Sequence, residues 1–253
     1  MTAPWRGLAL LDTGIAGFVG QVGDNRPHRH YAVQIAISAS TPVQMILQGN
    51  ARRAANVVGC PANVEHQLHS DAAAVVIIYL EPTTAVGRFV HKQFSSQHSF
   101  AGLDPGLLHA RACAAISQGS AQKLSELVSW MLNRPPDPPA SSVDRRIQAF
   151  LETVASAGLP STASLAASQL ALSPSRFVHL FAAGCGISYR AFLKWRKLRT
   201  ALEAFAAGGN LTAAAHEGGF SDSAHFSRTF ADMFGTSPTT ALRGLNFQAA
   251  RHG

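Results

Sequence analysis

The sequence predicts an α+β chain of two domains: an N-terminal antiparallel β-barrel accompanied by helices, and a C-terminal all-α half holding two helix-turn-helix units. Three observations predict it. β-Branched runs separated by Gly and Pro fill residues 1 to about 100. A proline-rich break follows at residues 133–142. Beyond it, apolar residues recur at helical intervals to the end of the chain. The 253 residues suffice for two cores, so the boundaries fall at 1–132, 133–142 and 143–253.

In the first part, "YAVQIAIS" at 31–38 alternates and is β-branched, "PVQMILQ" at 42–48 follows a tight connection, and "AAAVVIIYLEP" from residue 72 reads as a buried strand. Together they predict a small barrel or sandwich. Residues 106–132 read as two helices broken at Gln118, Gly119 and Ser120. The second carries an apolar stripe of Leu124, Leu127, Val128 and Met131, which either packs on its own barrel or pairs with a second copy of the chain. In "NRPPDPPASS", four prolines in ten residues exclude a helix and predict an extended linker.

In the second part, Ile147, Phe150, Leu151 and Val154 share one helical face. Ser188 is placed to cap a long helix over 189–207, which Gly208 and Gly209 end. Phe192, Trp195, Leu198, Leu202 and Phe205 form its stripe. At 1.5 Å per residue this rod is roughly 28 Å long, the order of one DNA turn, roughly 34 Å. The same arrangement flanks it on both sides: a short Ala-rich helix (165–169 and 212–217), a tight turn ending at Ser173 or Ser221, and a second helix. In the second copy Phe226, Phe230, Met233 and Phe234 fall inward, while Ala224, Ser227, Arg228 and Ala231 fall outward. In the first, Phe177, Leu180 and Phe181 fall inward, and Ser175, Val178, His179 and Ala182 outward. Small residues around an Arg let a helix backbone approach a groove floor while the guanidinium reaches a base edge or a phosphate.

Charge points the same way. The chain carries net +7 with a pI of about 9.9. Residues 1–142 hold 10 Lys and Arg against 8 Asp and Glu, residues 143–253 hold 11 against 6, so the excess lies in the C-terminal part and favours a polyanion. Three scattered cysteines, Cys60, Cys113 and Cys185, argue against a disulfide framework or a zinc knuckle. The longest apolar run, nine residues, is too short to span a bilayer. No basic-then-apolar leader is visible, and a reducing cytoplasm is expected.

The segments "LSPSRFVHLF", "YRAFLKWRKLRTAL" and "AHEGGFSDSAHFSRTFADMFGTSP" resemble the AraC/XylS family of bacterial transcription regulators over the last 110 or so residues. The resemblance implies two units joined by a rigid helix, with recognition helices in successive major grooves of double-stranded DNA. It makes Ser175, Val178 and His179, and Ala224, Ser227 and Arg228, the base-reading positions, and Arg176, Arg190, Lys194 and Lys197 the phosphate partners. His225 is read as structural. A homodimer and RNA polymerase are the protein partners it implies. Two places depart from the family pattern: Ala171 where Gly is usual in the first turn, and Ala241, Leu242 and Arg243 where an aromatic and Arg follow Pro238.

"GDNRPHRHYAVQ" and "GCPANVEHQLH" look like weakened cupin motifs, with Gln34 where metal cupins place Glu and Asn63 where Gly is usual. His28 and His30, alternating on a strand, and His66 from a neighbour are the metal candidates, since three imidazoles can hold zinc, nickel or iron. The competing reading is a metal-free barrel pocket for a small organic effector. The expectation is therefore an effector-controlled, non-enzymatic DNA-binding regulator. The alternative is a metal-dependent cupin enzyme fused to a DNA-binding domain.

Overall fold

The computed structural model describes residues 3–49, 51–96, 102–132, 143–157 and 160–251. The expected proline-rich linker at 133–142 lies outside the described residues.

The N-terminal part is two antiparallel sheets facing each other. β1 (Arg6–Asp12) turns at Thr13 and Gly14, the latter at φ 82, into β2 (Ile15–Gln21). β3 (Val33–Ile37), β4 (Val43–Leu47), β5 (Ala51–Ala55), β6 (Val57–Cys60), β7 (His66–His69) and β8 (Val75–Leu80) follow. One sheet has the order β6-β3-β8-β2-β1, the other β5-β4-β7. β3 and β8, with Ile35 opposite Ile78, are buried on both faces, which is why they read as continuous apolar runs. Between the sheets Met45, Leu68, Val75 and Ile77 are fully packed. The expected barrel takes the form of two facing sheets with apolar side chains packed between them.

α1 (Ala85–Ser96), α2 (Pro105–Ser117) and α3 (Ala121–Met131) cover the outer face of the larger sheet. Asp104 caps α2, and Ser120 caps α3 after Gly119 at φ 69, where the break was expected. Gly17 of β2 lets them seat closely: a Cβ there would lie 2.8 Å from Ile116 and 3.0 Å from Leu124. Leu124, Leu127, Val128 and Met131 are all buried in this contact. The α3 stripe is therefore used within the chain, which leaves it no role as a dimer interface. α1 was not foreseen. Its signal was Thr84, whose Oγ1 accepts from Gly87 N at 3.0 Å, ahead of Val86, Val90 and Phe94 at i+4 spacing.

Helices follow from Arg145: α4 (Arg145–Ala157), α5 (Ala163–Gln169), α6 (Pro174–Cys185), α7 (Tyr189–Ala206), α8 (Leu211–Glu217), α9 (Ser223–Phe234) and α10 (Pro238–Leu242). Ser188 caps α7, accepting from Ala191 N at 3.2 Å. This part is not all helical. β9 (Leu245–Gln248) leaves α10 and adds to the edge of the larger sheet, parallel to β1, with Gly7 opposite Leu245. Arg251 N then donates to Gly119 O at 2.8 Å. The N-terminal sheet is completed by the C-terminal end of the chain.

The two halves share buried apolar clusters. Ala32, Trp195, Leu198, Phe226, Phe230 and Met233 form one, with Tyr79 and Phe247 against it. Within this contact stands one buried acid. Glu81 Oε1 accepts from Arg199 Nη1 at 2.7 Å and from Trp195 Nε1 at 3.1 Å. The ionic side chains are 7% and 11% exposed, so neither keeps much water. Arg199 Nε lies 3.0 Å from Glu203 Oε1 but is not aligned to donate to it.

At both places where Gly is usual the backbone is left-handed. Asn63 has φ 62 and Ala171 φ 51. In the second unit the place of Ala171 is taken by Gly219, at φ 71. Asn tolerates this region, whereas Ala meets its own Cβ there at a cost of about 1–2 kcal/mol. Relief of that strain exceeds the backbone entropy Gly adds to the unfolded chain. Ala171→Gly is therefore expected to raise stability by about 0.5–1 kcal/mol and Gly219→Ala to lower it by about 1 kcal/mol, read from denaturant unfolding. In the same assay Glu81→Ala, which leaves the buried guanidinium only the half-exposed Glu203, is expected to cost about 3 kcal/mol, and the apolar pair Glu81→Leu with Arg199→Met much less.

Candidate nucleic-acid interface and histidine cluster

In the first unit, Thr162 caps α5 and Ser173 Oγ accepts from Arg176 N at 3.2 Å, with Pro174 opening α6. Phe177 and Phe181 stack edge-on against Tyr189, and Phe150 of α4 stacks on Phe177 at 5.4 Å. These rings fix the inner face. Ser175, Arg176, Val178 and His179 are exposed, Val178 at 39%.

The second unit repeats this with one change. Its turn is one residue longer, running past Ser221, and the α9 cap is Asp222, accepting from His225 N at 2.7 Å. Ser221 instead donates to Asp222 Oδ2 at 3.0 Å. The His225 amide, followed by the Ser221 hydroxyl, holds the Asp222 carboxyl below its ordinary range. Phe226, Phe230 and Met233 are buried; Ala224 and Arg228 are exposed and Ser227 is half-buried. Phe177 and Phe226, Phe181 and Phe230, and the left-handed caps Gly186 and Gly235 occupy matching places, so His179 and Arg228 do too. Phe234 departs from the expected inner row. It is half-buried and turns toward the N-terminal half, 6.1 Å from the rings of His30 and Tyr79. His225 is exposed, packed edge-on to Phe220 at 5.3 Å.

The rod's cations diverge. Arg190 is exposed. Lys197 Nζ donates to Gly219 O at 2.9 Å and so braces the second turn. Lys194 lines a groove with Arg26, His28 and Arg29 of the N-terminal half.

His28, His30 and His66 come together, with ring centroids 4.3 Å (28–66), 4.6 Å (30–66) and 5.8 Å (28–30) apart. His28 and His30 do not alternate on a regular strand as expected. They precede β3, and a backbone bridge ties His28 to His66 at 2.8 and 2.9 Å. Each Nδ1 faces a carbonyl two residues away: Arg26 O at 2.8 Å, Ala32 O at 2.9 Å and Val64 O at 2.9 Å. A carbonyl only accepts, so each Nδ1 carries the proton and each Nε2 holds the lone pair. Gln34 Oε1 lies 2.9 Å from His30 Nε2 and 3.1 Å from His66 Nε2. Burial, first, and the neighbouring imidazoles, second, push His30 down to about 4 and His66 well below its ordinary value; burial also lowers His28. Three neutral rings and an amide oxygen are a donor set suited to a divalent transition metal. All three cysteines lie elsewhere and are free; burial pushes the Cys60 and Cys185 thiols up to about 12.

Between the halves lies an apolar cavity of about 120 Å³, walled by Ala9, Phe18 and Tyr79 on one side and Trp195, Phe230 and Phe234 on the other, with Glu81 and Arg199 at its margin. Sequence reasoning missed both the cavity and the acid. The available signal for Glu81 was a carboxylate directly ending a long apolar strand, and for its partners a Trp and an Arg one turn apart on the rod. Among the described residues no helix is long and apolar enough to cross a membrane.

Residues 166–244 match the family model described as a helix-turn-helix domain, spanning α8, α9 and most of the first unit. No curated protein sequence matches. Solved structures of ToxT from Vibrio cholerae share the fold along nearly the whole chain. An apo variant is 11% identical with a TM-score of 0.59, covering 90% of this chain and 96% of that one. A form bound to (E)-4-(8-methylnaphthalen-1-yl)but-3-enoic acid is 9% identical with a TM-score of 0.53, covering 93% and 97%. A form bound to an unsaturated fatty acid is 11% identical with a TM-score of 0.52, covering 95% and 99%. The resemblance to AraC/XylS regulators is thereby shown over the helix-turn-helix region, and the whole chain has the two-part α+β fold that the sequence predicted.

Proposed function

We propose that the chain is a sequence-specific DNA-binding transcription regulator, and that a small apolar molecule held between its two halves sets which DNA sites it can occupy. One observation carries this reading. Two matched helix-turn-helix units bury equivalent aromatic rows and leave equivalent small and basic residues in solvent. Arg228 and His179 are the central base-reading positions, flanked by Ser175, Val178, Ala224 and Ser227. Arg176 and Arg190 supply phosphate affinity, which salt weakens by counterion release. Lys194 and Lys197 contribute less, because one faces the interdomain groove and the other braces a turn. A second copy of the chain and RNA polymerase are the further partners this reading calls for, and the cytoplasm is where it places them.

The effector is placed against the N-terminal sheet, in the cavity that its outer residues share with the rod. Two ToxT structures hold organic acids with large apolar bodies. Here the walls are apolar, and the nearby cation, Arg199, is already paired. A cavity of about 120 Å³ is near the size that admits benzene. A compact aromatic enters it as it stands; a longer body must part Trp195 and Phe234 from the sheet. Parting them strains the Glu81–Arg199 pair and reorients the rod, which shifts the population between DNA-competent and incompetent arrangements. The enzyme alternative draws no support from a catalytic pair: the histidine cluster includes no carboxylate among the described residues.

Arg228→Ala is expected to weaken a selected site by about 1–3 kcal/mol, with less discrimination at one base pair; undiminished binding would overturn the reading. Arg176→Ala is expected to weaken all sequences alike and reduce the salt slope by about 1; both are read by fluorescence anisotropy across a salt series. A thermal-shift screen of compact aromatics is expected to find ligands that raise the Tm of the wild type but not of Ala9→Leu, which fills the cavity.

A further inference from the structure

We propose that Arg146, in the first turn of α4, is a DNA-phosphate contact of the first helix-turn-helix unit, standing with Arg176 on one flank of α6. The inference rests on the DNA-binding reading above and extends the interface to a helix that precedes the unit.

The start of α4 is seated on α6. Phe150 stacks edge-on against Phe177 at 5.4 Å. One turn and more before it, Val143 fills a notch at Gly184, where a Cβ would lie 2.9 Å from Val143 Cγ1. A glycine inside a helix costs about 1 kcal/mol relative to alanine; here it admits the neighbouring chain. Gly184 and Arg176 lie two turns apart on one i, i+4 ridge of α6, so the start of α4 and Arg176 share a flank. Charge agrees with this placement. The Asp144 carboxyl is held down to about 2, first by the Arg146 side chain and then by the Arg146 amide, and the Arg176 charge adds a smaller share. A helix lying in the major groove, about 12 Å wide, has a phosphate backbone along each flank. Cations on one flank therefore face one strand.

Arg146 is fixed in advance. Asp144 Oδ1 accepts from Arg146 N at 2.9 Å and from its Nε at 3.0 Å, and Oδ2 accepts from Nη2 at 2.7 Å. The carboxylate thus caps α4 and grips the guanidinium as a fork. Of five guanidinium N–H groups two are used, and both on Nη1 and one on Nη2 are left for another acceptor. The side chain is still 49% exposed. An ion pair this exposed adds little stability of its own, but it removes rotamer freedom that a docking arginine otherwise loses on binding. The planar edge that remains suits phosphate oxygens. Asp144 does not make the patch acidic, because Arg145, Arg146 and Arg176, all exposed, outnumber it.

The test titrates the full chain against a fluorescein-labelled duplex of mixed sequence and against a selected site, by anisotropy over a salt series, with the Tm of each variant recorded. Arg146→Ala is expected to weaken both duplexes by the same factor, about three- to ten-fold at 0.1 M salt, and to reduce the salt slope by about 1. Arg146→Lys, which keeps the charge without the fork, is expected to restore the slope and only part of the affinity. Lys123→Ala, which removes the same charge from the exposed face of α3, is expected to change neither. A purely structural Arg146 would move the Tm and leave the slope alone. An unchanged slope in folded Arg146→Ala, or a slope that Arg146→Lys fails to restore, would overturn the proposal. If Arg176→Ala and Arg228→Ala are equally without effect, the DNA-binding reading itself has failed; if they act and Arg146→Ala does not, this inference alone has.

Discussion

Glu81 ends a buried strand in a place where a carboxylate is tolerable only if strong hydrogen-bond donors reach it. They come from the other half of the chain: Arg199 and Trp195 stand one turn apart on α7 and converge on a single oxygen. Such a pair adds little net stability over an apolar substitute, yet Glu81 without Arg199 is a buried charge met only by a neutral indole N–H. The interaction thus specifies more than it stabilises. Of the ways an apolar rod can lie on an apolar sheet, it selects the one that satisfies both ions. It also sits at the margin of the interdomain cavity, so a molecule entering there meets the contact that fixes the alignment of the two halves.

The helical half was the more legible in sequence because its information is local. Caps, periodic aromatics and glycines at left-handed positions each declare themselves within a few residues, and Ala171 at φ 51 shows that even a departure from the usual residue could be read as strain. The end of the second turn fell one residue past Ser221, because an inserted residue gives the α9 cap to Asp222. In the sheet-rich half, strand identity was legible from β-branched runs, but strand order was not, since pairing joins residues far apart in sequence. β9 carried almost no signal: four residues become a strand only because β1 offers an open edge.

The histidine cluster lies between these cases. Residue identity and the cupin-like spacing brought His28, His30 and His66 together correctly, but for a geometric reason that does not hold: alternation along a strand. What unites them is the pair of backbone hydrogen bonds between His28 and His66. Which nitrogen faces inward was not readable at all. That depends on three carbonyls, and every residue type has one.

The parallel pairing of β1 with β9 bears on biosynthesis. β1 leaves the ribosome long before β9, its partner on one side. Until residues 245–248 arrive, after both helix-turn-helix units have been made, that side of β1 is open and able to pair with a neighbouring nascent chain. A chain cut short before them leaves bare the backbone of β1 that β9 would otherwise cover.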